Sequence, residues 1–344
     1  MKPAPVALDA MGGDAAPEVV VAGAIAAHRG GVSVVLVGDE DRLRPLLPAG
    51  LDLPIHDCKG VVPMDAPRPA SAVRGDPEPS VTAAMRLLRE GKACAAVSCG
   101  PTGATMAAAF FVLGRLDGVD RPAISLLVPR TDGGRLVLLD LGANVDSRPQ
   151  HLVQFAAMGQ AFAKVLGLGE EPRIGLLSNG EEPGKGDERV REAGARLAAL
   201  PLPFVGNVEP AAAFRGACEV LVCDGFVGNI MLKTVEATAE VVTTILREEV
   251  LRQASAKAGA WLLRPALRRV RERTDYASQG GALLLGVRGV VVVGHGRSDA
   301  SAVHSAVRYA ARCAADGLVE RVAAAMGTLP TVADDDLAAP PALQ

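Results

Sequence analysis

Short apolar runs and longer amphipathic stretches alternate along this chain almost from end to end. Runs at Val6 to Leu8, Val34 to Val37, Ala95 to Ser98, Ile124 to Val128, Leu136 to Leu139, Ile174 to Leu177, Val220 to Cys223 and Val290 to Val293 have the length and composition of strands. Between them, Pro17 to His28, Val81 to Arg89, Thr102 to Leu113, Pro149 to Leu166, Asp187 to Leu200 and Ser301 to Ala314 read as helices. This alternation builds a mainly parallel sheet with helices on both faces, so the fold class is α/β and residues 1–327 are read as one domain.

Two segments depart from the pattern. From Ile230 to Arg273 the chain is helical throughout, with Val235, Ala239, Val242, Leu246 and Val250 along one face of a long helix. Ala258 to Leu263 breaks that periodicity, and Pro265 is expected to open a second helix carrying Arg264, Arg268, Arg269, Arg271 and Arg273. The expected shape, over about 230–275, is a protruding helical hairpin with Trp261, Leu262 and Leu263 at its apolar tip. Residues 328–344, rich in Pro, Ala and Asp without periodicity, read as a disordered tail.

Composition narrows the picture. A chain of 344 residues with 49% hydrophobic and 22% charged residues can bury a large core, which excludes a disordered chain or a disulfide-stapled miniprotein. Aromatic residues are only 3%, so Ala, Val and Leu must fill that core. The six cysteines form no C-x-x-C pair, which favours neither a disulfide framework nor a metal site. Only Val6, Ala7 and Leu8 precede Asp9 as an apolar run, too few for a secretory signal, so a cytoplasmic location is expected. The net charge of -3 gives no reason to expect nucleic acid as a partner.

In open α/β sheets ligands bind beyond the carboxyl ends of the strands. There this sequence is polar and glycine-rich: Asp9 to Asp14, Ser98 to Gly103, Asp140 to Asp146, Ser178 to Gly186, Gly206 to Glu209, Asp224 to Asn229 and Gly294 to Asp299. Glycines let backbone N–H groups approach a ligand, and turns feeding helix N-termini present a positive dipole end, which together suit phosphate. If every turn followed a parallel strand, all would meet at one rim. Standard nucleotide motifs fail: Gly180 to Gly186 is one residue short of a P-loop, no G-x-G-x-x-G follows a strand, and the G-x-S-x-G nucleophile elbow is missing.

At these turns the sequence resembles the phosphate acyltransferase family (PlsX, acyl-ACP:phosphate acyltransferase) of bacterial phospholipid synthesis. The resemblance is carried by Leu8 to Asp14, Leu139 to Asp146, Phe204 to Glu209, Asp224 to Asn229 with Lys233, and Tyr276 to Gly281 leading to His295-Gly296. It implies a Rossmann-like α/β/α sandwich with a mostly parallel sheet, related to the isocitrate/isopropylmalate dehydrogenase-like fold. It further implies acyl transfer from acyl carrier protein to inorganic phosphate without a cofactor. A cytoplasmic homodimer in peripheral contact with the membrane, feeding a membrane-bound glycerol-3-phosphate acyltransferase, completes what the resemblance implies. Two positions depart from the family pattern: Pro101, where the family has an asparagine, and Arg297, where it has a small residue.

Phosphate is already an anionic nucleophile at pH 7 and a thiol is a good leaving group, so this reaction needs positioning and charge stabilisation more than covalent catalysis. The expected catalytic residues are Asp224 as the base, Lys185 as a phosphate partner, His295 as a donor to the departing thiolate, and Asn229 at the oxyanion. Expected substrate-binding residues are Asp9, Gly12, Gly13, Asp14, Gly103, Asn144, Asn207, Gly225 and Lys233. Trp261, Leu262, Leu263, Arg264 and Arg268 are the expected contacts with the acidic carrier protein or the membrane. No metal ligand set is expected. A phosphotransacetylase using a short acyl-CoA, or a non-catalytic membrane-surface scaffold, are the competing readings.

Overall fold

The computed structural model describes residues 4–274 and 280–330. Its strands are β1 (Val6–Asp9), β2 (Val34–Gly38), β3 (Ile55–Asp57), β4 (Ala95–Ser98), β5 (Ala123–Pro129), β6 (Arg135–Leu139), β7 (Ile174–Leu177), β8 (Phe204–Val208), β9 (Val220–Val222), β10 (Ala282–Leu285) and β11 (Val290–Val293). The helices are α1 (Glu18–Arg29), α2 (Glu40–Leu43), α3 (Pro69–Ala72), α4 (Ser80–Arg89), α5 (Thr102–Val112), α6 (Pro149–Val165), α7 (Glu188–Ala198), α8 (Pro210–Phe214), α9 (Gly225–Arg252), α10 (Ala254–Thr274), α11 (Ala300–Ala315) and α12 (Leu318–Gly327). All strands join one sheet in the order β3-β2-β1-β4-β11-β10-β5-β6-β9-β7-β8.

Outside the hairpin, every predicted strand and helix is present within a residue or two of its expected bounds. Strands β3, β8 and β10 are additional. Residues Gly206 to Val208, expected as a turn, pair with β7 inside β8. Alternate residues along a strand enter opposite layers: Val137 and Leu139 belong to the layer that holds α1, α6, α11 and α12, while Leu136 and Leu138 belong to the layer of α5, α8 and the start of α9. With both faces covered, strands lose any polar alternation, which is why they read as continuous apolar runs. Phe155 and Phe162 on α6 are fully buried and fill volume that the small Ala and Val side chains leave.

Strand direction corrects the expectation of a single rim. The β11–β10, β10–β5 and β5–β6 pairs are antiparallel, whereas the strands on either side of them pair in parallel. The carboxyl ends of β1, β4 and β11 therefore lie at one edge of the sheet, and those of β6, β7, β8 and β9 at the other. A local reading of each turn carries no information on the direction of its strand, so the reversal was invisible in the sequence.

The hairpin is present, but its turn is elsewhere. The chain leaves α9 at Gln253, whose backbone is extended (φ −129°, ψ 137°), and α10 then runs continuously through Ala258 to Leu263 and Pro265. A proline inside a helix removes one backbone bond, and the Ala-, Leu- and Arg-rich stretch around it favours helix strongly enough to carry on. Trp261, Leu262 and Leu263 thus sit along the second arm, not at the tip, and remain 71, 71 and 57% exposed. No helix among the described residues is long and apolar enough to cross a membrane. Thr328 to Pro330, expected within the tail, still belong to the domain: the Leu329 N–H donates to the Met326 carbonyl and its side chain packs on the core. Residues 331–344 and 275–279, the latter holding Tyr276, lie outside the described residues.

Candidate active site

At the first edge, Asp9 ends β1 with its carboxylate almost entirely buried. Oδ1 accepts from the Ser80 hydroxyl at 2.7 Å and the Met11 N–H at 3.2 Å, and Oδ2 accepts from the Ser98 hydroxyl at 2.6 Å. Burial pushes the Asp9 carboxyl up, against the opposing pull of the Ser98 and Ser80 bonds. Gly12 closes over this group: a Cβ there would lie 2.6 Å from Asp9 Oδ2 and 2.7 Å from the Gly100 nitrogen. Its missing side chain admits the protein's own backbone.

Helix α5 begins beside this carboxylate with Pro101 at its N-cap and no side-chain cap, so the first N–H groups, including that of Gly103, have no capping side chain. Pro101 supplies the carbonyl that accepts from Ala104 and Thr105. Asp14 is exposed, and its N–H donates to the Gly296 carbonyl, tying the turn after β1 to the turn after β11. A Cβ on Gly13 would lie 3.5 Å from the same Gly296 carbonyl and 3.4 Å from the Cys99 Cβ. His295 is exposed; its Nδ1 accepts the Arg297 N–H at 3.1 Å, which leaves Nε2 to carry the ring proton. Arg297 lies on the surface. The Cys99 thiol is pushed up to about 11 by burial, so it is not a ready nucleophile.

At the second edge, Asp140 follows β6 and organises its own turn. Oδ1 accepts from the Ile124 and Ala143 N–H groups, and Oδ2 accepts from the Asn144 N–H at 2.7 Å and the Asn144 side-chain amide at 2.9 Å. Burial raises the Asp140 carboxyl against these bonds. The Asn144 amide also donates to the Pro122 carbonyl at 2.7 Å, so it braces the turn. Helix α9 starts against this turn: a Cβ on Gly225 would lie 2.5 Å from the Asn144 carbonyl, and one on Gly228 would collide with the Asp140 carbonyl. Asn229, one turn on, packs over Gly142.

Asp224 caps α9. Its Oδ1 accepts from the Phe226 and Val227 N–H groups at 3.0 and 3.1 Å, and its Oδ2 faces Arg189 at 3.8 Å. Arg189 also pairs with Asp187 at 2.9 Å, a bond that raises the guanidinium further above its ordinary value. Asn207 donates to the carbonyls of Glu182 and Lys185, fastening the turn after β7 to β8. The Lys185 and Lys233 side chains are exposed and, among the described residues, have no ion pair. No group of His, Cys, Asp and Glu among the described residues has metal-binding geometry.

The expected site residues thus fall into two sets. Asp9, Gly12, Gly13, Asp14, Gly103 and His295 gather at the first edge, and Asn144, Lys185, Asn207, Asp224, Gly225 and Asn229 at the second, while Lys233 stands two turns into α9 with its side chain exposed. Sequence reasoning missed Ser80, Ser98, Asp140 and Arg189. Asp140 had a signal, since it follows a strand within a polar turn. Arg189 and Ser80 had none, because each reaches its partner from the first turn of a helix distant in sequence.

The chain matches the family described as "Fatty acid synthesis protein" over residues 4–321. Among curated proteins it is 49% identical to a phosphate acyltransferase of Trichlorobacter lovleyi, over 92% of this chain and 93% of that one. It is 50% identical to a phosphate acyltransferase of Thermus thermophilus, over 92% of this chain and 97% of that one. Among solved structures it resembles a phosphotransacetylase from Streptococcus pyogenes, at 19% identity and a TM-score of 0.64, covering 92% of this chain and 95% of that one. The EutD phosphotransacetylase from Staphylococcus aureus follows at 16% identity and a TM-score of 0.57, covering 91% and 94%. At such identities the solved structures speak for the α/β/α fold alone.

Proposed function

The chain belongs to the phosphate acyltransferase family, and on that premise we propose that it moves a long-chain fatty acyl group from an acyl carrier protein thioester directly to inorganic phosphate. The observation carrying the reading is the second-edge cluster, where Asp224 keeps one oxygen free of its capping bonds, facing Arg189, with Lys185 on the same loop-to-helix junction. Arg189, Lys185 and Lys233 supply the positive charge that a small tetrahedral anion requires. Asp224 Oδ2 then takes the proton of monohydrogen phosphate as its oxygen attacks the thioester carbonyl. Electrons pass from phosphate oxygen to carbonyl carbon, the C–S bond breaks, and the departing thiolate accepts a hydrogen bond from His295 Nε2–H and takes its proton from solvent.

The first-edge cluster stabilises the oxyanion through the uncapped N-terminus of α5. Both α5 and the start of α9 lie on the same face of the sheet. A twist of about 20–25° per neighbouring pair accumulates across the strands between β4 and β9. On this reading the two carboxyl edges act together from that face, the first on the oxyanion and the second on the phosphate.

The exposed apolar row on α10, with Arg264 and Arg268 beside it, serves shallow contact with an anionic membrane surface. The exposed face of α9, including Val235, Val242 and Leu246, serves a homodimer seam. A cytoplasmic location, with the acyl phosphate passed to a membrane-bound glycerol-3-phosphate acyltransferase, completes the reading.

The test mixes purified protein, palmitoyl-ACP and phosphate and follows hydroxylamine-trappable product together with free carrier thiol. Phosphate-dependent release of both is expected, and palmitoyl-CoA or acetyl-CoA should be poorer donors. Arg189→Gln should raise the phosphate KM at least tenfold. Preference for acetyl-CoA would assign the chain to phosphotransacetylase chemistry instead.

A further inference from the structure

Beside the second-edge cluster lies a cavity of about 1150 Å³ that none of the proposed chemistry uses. It is bounded by the segment leading into β5, the first turn of α6 and the ends of α5, α7 and α12. The turn from Asp140 to Arg148 joins it to the cluster, because Asp146 lines the cavity two residues after Asn144. Its floor is apolar, with Phe110, Val153, Leu200, Met326 and Leu329.

Its charged lining is mainly positive: Arg115, Arg121, Arg148 and Arg196 against Asp120 and Asp146. Arg121 and Arg148 are exposed and have no carboxylate partner within ion-pair distance among the described residues. Arg196 pairs with Glu192 at 2.5 Å, yet its buried Nε has no hydrogen-bond acceptor among the described residues. His151 is 7% exposed, and its Nδ1 accepts the Arg148 N–H at 3.0 Å, which leaves Nε2 as a further donor in the cavity wall. Free guanidinium groups around an apolar floor are the counterpart of an acidic, amphipathic helix.

We propose that this arginine-rimmed cavity is where an acidic acyl carrier protein docks, with Arg121 and Arg148 holding its carboxylates and Phe110 and Val153 receiving its apolar contacts. The proposal rests on the acyltransferase reading above and adds the surface on which the donor protein sits. It also separates two tasks: the cavity receives the carrier, and the hairpin meets the membrane.

The test compares the full chain with Arg121→Glu/Arg148→Glu, using palmitoyl-ACP and palmitoyl-CoA as alternative donors. The double variant should lose at least tenfold in kcat/KM for palmitoyl-ACP, mainly through KM and with a weaker dependence on salt. Its kcat/KM for palmitoyl-CoA should stay within twofold. Arg29→Glu/Arg42→Glu, an equal charge change on distant surface helices, should leave both donors unaffected. Arg121→Gln/Arg148→Gln, matched to the parent by circular dichroism, should show a smaller loss in the same direction and guards against misfolding.

Equal loss with both donors overturns the proposal, as does a loss confined to Arg264→Glu/Arg268→Glu, which places the carrier on the hairpin. Truncation after Pro330 that raises kcat/KM for palmitoyl-ACP overturns it as well, by assigning the cavity to the chain's own acidic C-terminal segment. A parent protein that forms no acyl phosphate from palmitoyl-ACP ends the acyltransferase reading itself. A parent that forms it while the cavity variants behave normally ends only the docking proposal.

Discussion

Asp224→Ser keeps a side-chain oxygen able to cap α9 but removes the charge that faces Arg189. Capping by serine and by aspartate is nearly equivalent, so stability should change by less than about 1 kcal/mol, whereas Asp224→Ala should cost about 0.5–2 kcal/mol. If the free oxygen accepts the phosphate proton, both variants lose at least tenfold in kcat and only the alanine variant also loses stability. A serine variant with parental turnover would reduce Asp224 to a cap. The same separation of roles applies elsewhere in the two clusters. Asn144 and Asn207 were expected as ligand contacts from their position after strands, and their amides instead tie down protein carbonyls. Gly12 and Gly225 were expected to admit a ligand, and each admits neighbouring backbone. In each case the residue type was informative and the partner was not, because a polar group in a tight turn satisfies whichever acceptor folding brings nearest.

At the scale of an element, the α9–α10 hairpin shows where periodicity helps and where it misleads. The apolar row on α9 was legible from its spacing, and Val235, Val242 and Leu246 on it are exposed because nothing else among the described residues covers them. The turn was misplaced because Gly259 and Pro265 carry strong local signals, while Gln253 carries none. A long arm rich in helix formers absorbs a glycine and a proline at a cost of a few kcal/mol. The exposed Trp261 and Leu262 now lie on a helix side, so insertion would lay the α10 arm along a surface instead of driving a tip into it. Trp261→Asp/Leu262→Asp should abolish flotation with anionic vesicles and leave palmitoyl-ACP turnover in solution within twofold. Flotation equal to that of the parent would remove the membrane contact from this element.

For the whole molecule, the amino ends of the strands whose carboxyl ends form the second edge are tied together by charge. Glu219, just before β9, pairs with Arg130 after β5 at 2.9 Å and with Arg173 before β7 at 2.7 Å. Burial alone would raise the Glu219 carboxyl, but the bonds from Arg173 and Arg130 outweigh it and hold the group at about 2. The native value lies below the ordinary 4.5, so the stabilisation is complete above that pH and fades as pH falls toward 2. Urea midpoints measured between pH 6 and pH 2 should therefore show an acid limb worth up to about 3 kcal/mol that Glu219→Gln flattens. An unchanged limb in that variant would assign the acid sensitivity to other carboxylates.

The sequence by itself determined the layered α/β class, the strands and helices that make it, and the polar turns in which Asp9, Asp140 and Asp224 sit. These follow from burial and backbone geometry acting over a few residues, which periodicity records directly. Only the tertiary structure decided the reversal of strand direction across β10 and β5, the division of the turns between two edges, the reach of Arg189 to Asp224, and the gathering of arginines around one cavity. Each depends on pairings between segments far apart along the chain, whose energetics are set by what lies alongside once the sheet is assembled and leave no local trace.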